Sequence, residues 1–479
     1  MNSILKKIRQ SDAFNKENRI PYTKAVMLMS LFTFTFLGAE FLFVNMISNT
    51  VSGSQSVAAQ NYALGISVTG FILYPLFCRF CKGTLQSVIS MGASVLSVVC
   101  FFLICRHSSY ALTLCMGLLL FLILGAFGSA VFYKSLCLLE DNTYISRLVG
   151  ISYMLGILLQ IANSNLVHSA AFEAVILSAF VLLLAVMLMR AEKNSIVPAY
   201  SKDNSSEDIG KIGKGSLKVG IILALFVALL TCIFSTLDNA VTLYHASGAV
   251  NIGQWPRILL ALSGLLAGFL FDIAGRKYMS MIMYCVMILS TICIVVLEFA
   301  GPFTVGLIIF YLSAGFFAVF FTASFMEIAR YTKIPELWAG LGRAVNNLIA
   351  VAITGGSLAL LHSGNNIAIT TIELLLFVLA SVTAFIYTNM RKSFFEGPDA
   401  KGNGELSDSE RLQKLSEQFS LTPREAEVFG LLVNTDDSLQ IIADRLYVSR
   451  RTLERYVSAL YEKTGAKSRI GLVSLYNTI

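Results

Sequence analysis

Apolar residues in this chain gather into long, nearly unbroken blocks, and polar residues are confined to the short stretches between them. Twelve blocks can be drawn, at about residues 25–47, 60–78, 85–105, 110–133, 147–167, 171–189, 217–237, 255–271, 278–297, 303–325, 341–361 and 368–388. A bilayer core takes about 20 apolar residues of helix, so each block predicts a membrane-spanning helix, the second and eighth being short. A polar stretch at 190–218 divides the twelve into two sets of six. Beyond residue 388 the pattern changes. Residues 396–404 are rich in Gly, Pro and polar side chains, as in a flexible linker. Apolar residues then recur at helical spacing between short polar turns, which predicts a small helical module.

Six segments follow: an N-terminal arm (1–24), a first six-span half (25–189), a central loop (190–216), a second six-span half (217–388), a linker with a short helix (389–419) and the helical module (420–479). The fold class expected is all-α, a twelve-helix transmembrane bundle with a four-helix appendage.

Composition agrees. The 479 residues are 56% hydrophobic and 14% charged, against about 25% charged in soluble domains. The formal charge of +7 could suggest nucleic acid, but most of it lies in alternate loops. Lys6, Lys7, Arg9, Lys16, Arg19 and Lys24 precede span one, and residues 48–61 hold no basic residue. Arg79 and Lys82 follow span two, and Arg147 precedes span five. The central loop holds Arg190, Lys193, Lys202, Lys211, Lys214 and Lys218, whereas residues 238–254 hold none. Arg276 and Lys277, then Arg330, Lys333 and Arg343, mark later loops on the same side, and Arg391-Lys392 reads as a membrane-surface anchor. Basic loops stay cytoplasmic, so both termini of this multi-pass chain are expected there. No cleavable signal is evident, because the first apolar run is too long for one.

Nine cysteines and four histidines form no zinc spacing and no secreted-type framework. Cys78-Arg79-Phe80-Cys81 is a lone CxxC at a helix end, a weak signal for redox or metal chemistry. No metal, cofactor or catalytic constellation is expected, and the chain does not read as an enzyme.

The segment Gly268-Phe269-Leu270-Phe271-Asp272-Ile273-Ala274-Gly275-Arg276-Lys277 joins spans eight and nine. Its glycines permit a tight turn. Asp272 and Arg276 can pair with helix ends across the bundle and bias a two-state arrangement. The segment resembles the G-x-x-x-D-x-x-G-R-K loop of the major facilitator superfamily. In the first half, Phe77-Cys78-Arg79-Phe80-Cys81-Lys82-Gly83 keeps basic residues and a glycine but lacks the acid. The resemblance covers about residues 20–390 and implies two pseudo-symmetric six-helix halves around a central cavity. It does not imply transport, because fold is not function.

Polar groups inside a bilayer are costly and raise functional hypotheses. Glu40 in span one is the sharpest, either a cavity-lining ligand or proton site or a structural partner. Gln160 and Asn163 in span five and Asn346 and Asn347 in span eleven read either as ligand groups or as helix–helix hydrogen bonds. Arg257 and Glu373 lie near the outer ends of spans eight and twelve.

In the module, Thr422-Pro423-Arg424-Glu425 forms a capping box with proline at the first helical position. Ser438 caps a short helix with Ile441, Ile442, Ala443 and Leu446, and Ser449 caps the next after the turn Tyr447-Val448. There Leu453, Val457 and Leu460 face inward, and Gly465 fits the stop. Ser468 starts a last helix with Ile470, Val473 and Leu475.

This order resembles the LuxR-type (GerE-like) regulators. Leu421, Thr422, Arg424, Glu425, Glu427, Val428, Ile442, Ala443, Leu446, Val448, Ser449, Thr452, Val457, Lys463, Gly465, Ser468 and Arg469 carry the match over about 55 residues. The resemblance implies that residues 450–463 form a recognition helix for the major groove of double-stranded promoter DNA. Ser449, Arg450, Arg451, Thr452, Glu454, Arg455, Ser458, Lys463, Lys467 and Arg469 are the expected DNA contacts, and a homodimer through the module is a further expected state. Two positions depart from the family. Glu454 stands where a lysine is usual, and Tyr456 where a histidine is usual. An acid there loses a phosphate contact but can accept from a cytosine amine. A DNA reader on a polytopic bundle must work at the cytoplasmic face of a bacterial inner membrane. The expected function is a membrane-integrated transcriptional regulator whose bundle senses an unknown small molecule. The rival is a secondary transporter with a regulatory or DNA-binding tail, and an acid in each half would favour it.

Overall fold

The computed structural model describes residues 16–81, 83–106, 109–139, 144–191, 206–246, 255–299, 303–363, 365–395, 408–435, 437–466 and 468–478. The chain divides into two compact units, Met1–Arg391 and Lys392–Ile479.

The first unit is built from α1 (Lys16–Ser48), α2 (Gly53–Phe80), α3 (Thr84–Cys105), α4 (Tyr110–Cys137), α5 (Ile145–Leu166), α6 (Ala170–Arg190), α7 (Ser206–Ala246), α8 (Trp255–Phe271), α9 (Met279–Phe299), α10 (Phe303–Ala329), α11 (Pro335–Ser363) and α12 (Asn366–Phe395), whose last turn runs into the second unit. Among the described residues ten of these helices are long and apolar enough to cross a membrane, while α8 and the described side of α9 are apolar but shorter. The helices match the twelve blocks in order.

The differences lie at helix ends. Span two, drawn short, is a 28-residue helix. Asp238 and Arg343, counted with the loops from sequence, lie inside α7 and α11, and Glu327, beyond the drawn end of block ten, lies inside α10. A hydropathy block stops at the first polar residue. A helix does not stop there if that side chain faces protein or a cavity instead of lipid.

The two halves meet through α5 against α8 and α2 against α11. Small residues let the backbones touch, as membrane helix interfaces require. A Cβ built on Gly150 would lie 2.6 Å from the Gly264 carbonyl oxygen, and one on Gly268 would lie 2.7 Å from that of Ser146. Polar side chains join α2 to α11 and to α7 across the halves, and α7 to α11 within the second half. Asn347 donates to Ser67 Oγ (2.9 Å), Asn61 to Asn239 Oδ1 (3.2 Å) and Asn239 to Ser357 Oγ (3.2 Å).

The second unit contains α13 (Asp408–Gln418), α14 (Pro423–Asn434), α15 (Leu439–Arg445), α16 (Arg450–Thr464) and α17 (Arg469–Thr478). Its core gathers Leu415, Val428, Phe429, Leu432, Ile442, Leu453, Leu460, Leu472 and Tyr476. Leu415 is fully buried and Leu412 packs beside it, so the helix placed in the linker from sequence belongs to the module's core. Ile441 and Ile470, carried by α15 and α17, are 50% and 80% exposed. Neighbouring Ile442 and Leu472 fill the core instead.

The capping box forms as expected. Thr422 N–H donates to Glu425 Oε2 (2.7 Å) and Glu425 N–H to Thr422 Oγ1 (3.4 Å). Lys463 Nζ reaches the same Glu425 oxygen at 2.7 Å, clamping α16 to the start of α14. That bond and the Thr422 N–H hold the Glu425 carboxyl below its usual range. A depressed carboxylate pKa gives stability that is complete above the unfolded-chain value of about 4.3 and is lost as pH falls through the folded value. Glu425→Gln should therefore cost the isolated 392–479 unit about 1–2 kcal/mol at pH 7. The gap to wild type should close in acid, as read by urea denaturation at both pH values.

Candidate functional site

The module presents one basic helix. Ser438 Oγ accepts from Ile441 N–H, and Ser449 Oγ accepts from Thr452 N–H at 3.1 Å, so a serine caps each helix of the pair. Between them Tyr447 takes the left-handed conformation (φ 54°) and stands 96% exposed. Few non-glycine residues adopt that region, and here it gives the chain its sharp turn. Gly465, at φ 72°, ends α16.

The expected DNA contacts then separate by what they already touch. Arg451 and Arg455 are exposed and make no hydrogen bond or ion pair among the described residues. Arg450 pairs with Glu454 one turn on (3.1 Å), both exposed. Ser449 and Thr452 hydroxyls bond each other at 2.8 Å, and Ser458 bonds the Glu454 carbonyl at 2.9 Å. Two of the expected contacts are already engaged within the module. Arg469 donates from Nε to the Leu432 carbonyl (2.8 Å), from Nη1 to that of Asp437 (2.7 Å) and from Nη2 to that of Thr435. It fastens α17 to the end of α14. Lys463 is engaged by Glu425 and by the Ser420 carbonyl (3.2 Å). Both engagements share one reason. The carbonyls and carboxylate at the ends of α14 need donors, and these cations are the nearest. Lys467 lies outside the described residues.

In the bundle, Glu40, Gln160 and Arg257 come together. They line a cavity of about 160 Å³ with Gln60, Asp238 and Tyr311. Glu40 accepts from Gln60 Nε2 at 2.7 Å. The Arg257 guanidinium lies over the Phe41 ring, 5.0 Å from its centroid. Gln160 is 1% exposed and, among the described residues, neither amide atom has a partner. Asp238 was missed because sequence placed it outside the membrane. Its only signal was the helical continuation of block seven past residue 237. The cavity is therefore lined by an acid from each half, Glu40 on α1 and Asp238 on α7.

Other candidates lie elsewhere. Asn163 donates to Glu173 Oε1 at 3.0 Å, an α5–α6 bond. Asn346 accepts from Thr231 Oγ1 of α7 (3.3 Å) and donates to its neighbour Asn347 on the same helix (3.2 Å). Glu373 is buried and does not line the cavity. Arg343 lies against the rings of Phe36 and Phe321, 5.7 and 5.4 Å from their centroids. Cys78 and Cys81 are free thiols.

Asp272 and Arg276 build a second constellation. Asp272 Oδ1 accepts from Ser146 N–H (3.2 Å) and Oδ2 from Arg147 N–H (2.8 Å), so an acid of the second half caps the start of α5 in the first. Arg276 lies 3.5 Å from Asp272 and donates to Glu327 Oε1 at 2.9 Å. Arg391 closes the chain. Its Nη2 bonds Glu327 at 3.0 Å, and its Nη1 bonds the Arg276 carbonyl at 3.0 Å. Arg391 is thus buried inside the bundle, which corrects its reading as a surface anchor. Nearby, Arg330 donates to the Leu136 and Leu139 carbonyls at the end of α4. The turn holds Ala274, Gly275 and Arg276 at φ 50°, 63° and 68°, a costly conformation for the two that are not glycine.

Residues 419–476 match the family model for bacterial regulatory proteins of the luxR family. The C-terminal module is a LuxR-type helix-turn-helix. The bundle superposes on the crystal structure of a major facilitator superfamily transporter, FucP, in the outward conformation, with TM-score 0.54 and 15% identity over 78% of this chain and 99% of that one. It superposes similarly on the E. coli fucose:proton symporter FucP (TM-score 0.51, 15% identity, 78% and 99%) and on an auto-inhibited POT family peptide transporter (TM-score 0.50, 10% identity, 78% and 96%). At such identities the likeness is one of fold. The membrane unit has the major facilitator fold. No curated protein matches the sequence. A DNA-binding LuxR-type domain is thus fused to a polytopic membrane domain, and neither belongs to an enzyme family.

Proposed function

We propose that the protein is a membrane-integrated transcriptional regulator of a bacterial inner membrane, with both termini cytoplasmic. The bundle senses a small molecule in the cavity lined by Glu40, Asp238 and Arg257, and the tethered module binds promoter DNA. The observation that carries this reading is the exposed pair Arg451 and Arg455 on a capped helix of a LuxR-type module joined to a transporter-like bundle. Phosphate contact requires such a basic face. A ligand regulates only if it binds one arrangement of the halves better than another, since equal affinity shifts nothing.

One observation favours a second reading, a transporter that also regulates. An acid from each half lines the cavity. A promoter reporter read beside uptake of the inducing compound separates the two. Glu40→Gln should blunt the reporter response. Loss of uptake with intact regulation would instead support transport.

Orientation is tested separately. A reporter fused after Lys392 should be active only if it is a cytoplasmic one. Activity of a periplasmic reporter there would overturn the proposal.

A further inference from the structure

We propose, resting on the reading of the cavity as the ligand site, that its ligand is an amino-acid-sized molecule carrying both an ammonium and a carboxylate group. Three charged side chains line this small space, Glu40, Asp238 and Arg257. Opposite charges that share a small cavity attract each other. These do not pair. Among the described residues no ion pair joins Arg257 to either acid, and Asp238 has no hydrogen bond. Arg257 is instead held against Phe41. That contact fixes the guanidinium's place by attraction to the ring face and leaves its N–H edge open.

Gln160 points the same way. A buried amide without partners costs free energy, yet both amide atoms of Gln160 stand unpartnered at the cavity wall. A polar ligand would offset that cost once the amide turns toward the cavity. Among the described residues only one Glu40 oxygen is bonded, by Gln60. The cavity is therefore a dipolar receptor. Carboxylates from both halves suit an ammonium, and a fixed guanidinium suits a carboxylate. Two acids against one cation favour a ligand with excess positive charge, so basic amino acids should bind tightest and acidic ones weakest.

The test uses the purified full-length protein and its thermal unfolding midpoint. The probes are the common L-amino acids, the amines left when their carboxylates are removed, and glucose and adenosine as uncharged compounds. At least one basic amino acid should raise the midpoint, and its matching amine should bind on the order of 10-fold more weakly or worse. Asp238→Asn and Arg257→Gln should each weaken amino-acid binding on the order of 10- to 100-fold, and Arg257→Lys should restore part of it. Unliganded midpoints and gel-filtration profiles identify variants that have simply misfolded. Amines that bind as well as their parent amino acids, or an Arg257→Gln protein with undiminished affinity, would overturn the dipolar class. Binding of glucose or adenosine that Glu40→Gln abolishes would also overturn the class while leaving the cavity as the ligand site. A panel without any shift overturns it too, and the reporter response of Glu40→Gln then judges the cavity on its own.

Discussion

Replacing Arg451 and Arg455 together by alanine should lower the affinity of the 392–479 unit for its promoter by roughly 10²- to 10⁴-fold. Each guanidinium carries about 1–3 kcal/mol as a phosphate or base contact, and the two side chains are exposed and unengaged. The slope of log affinity against log salt should fall by about one for each phosphate contact removed. Glu454→Lys should act oppositely. It breaks the pair with Arg450 and adds a cation, so non-specific binding should rise. Arg469→Ala should behave differently from all three, because it strips the donors from the Leu432, Thr435 and Asp437 carbonyls. Its loss should appear first as lower stability in urea. Gel-shift titration at several salt concentrations reads the DNA effects. Unchanged low-salt affinity of the double variant would remove α16 from the interface.

Asp272→Asn should shift the balance between bundle arrangements by about 2–3 kcal/mol, roughly 30- to 150-fold. The carboxylate accepts two backbone N–H bonds at the start of α5 and faces Arg276, and hydrogen bonds to a charged group contribute about that much. Promoter output should change, whereas membrane insertion and the DNA affinity of the isolated module should not. A normal response from this variant would leave the constellation without a part in signalling. The same charge chain ends at Arg391, the last residue of the membrane unit.

The twelve spans, the Asp272 turn and the LuxR-type order were legible because each is written in local pattern. Hydropathy blocks, a glycine-basic turn and cap residues at fixed offsets need no knowledge of neighbours. What the sequence hid depends on contacts between distant residues. Asp238 looked like a loop acid, and only the packing of α7 shows that it lines the cavity opposite Glu40. Glu327 and Arg391 sit 64 positions apart and meet only in the folded bundle. In the module the resemblance located the recognition helix but could not sort its cations. Arg469 and Arg455 look alike in sequence, yet one serves carbonyls of its own fold and the other stays open. Sorting them requires knowing where helix ends leave acceptors.

The most direct test is genome-wide mapping of the DNA bound by the intact, tagged protein in cells, compared with the Arg451→Ala, Arg455→Ala double variant. Enrichment at discrete promoter regions, lost in the double variant while the protein remains in the membrane fraction, is the expected result. A membrane-inserted protein that enriches no DNA beyond the double variant would contradict regulation by this chain.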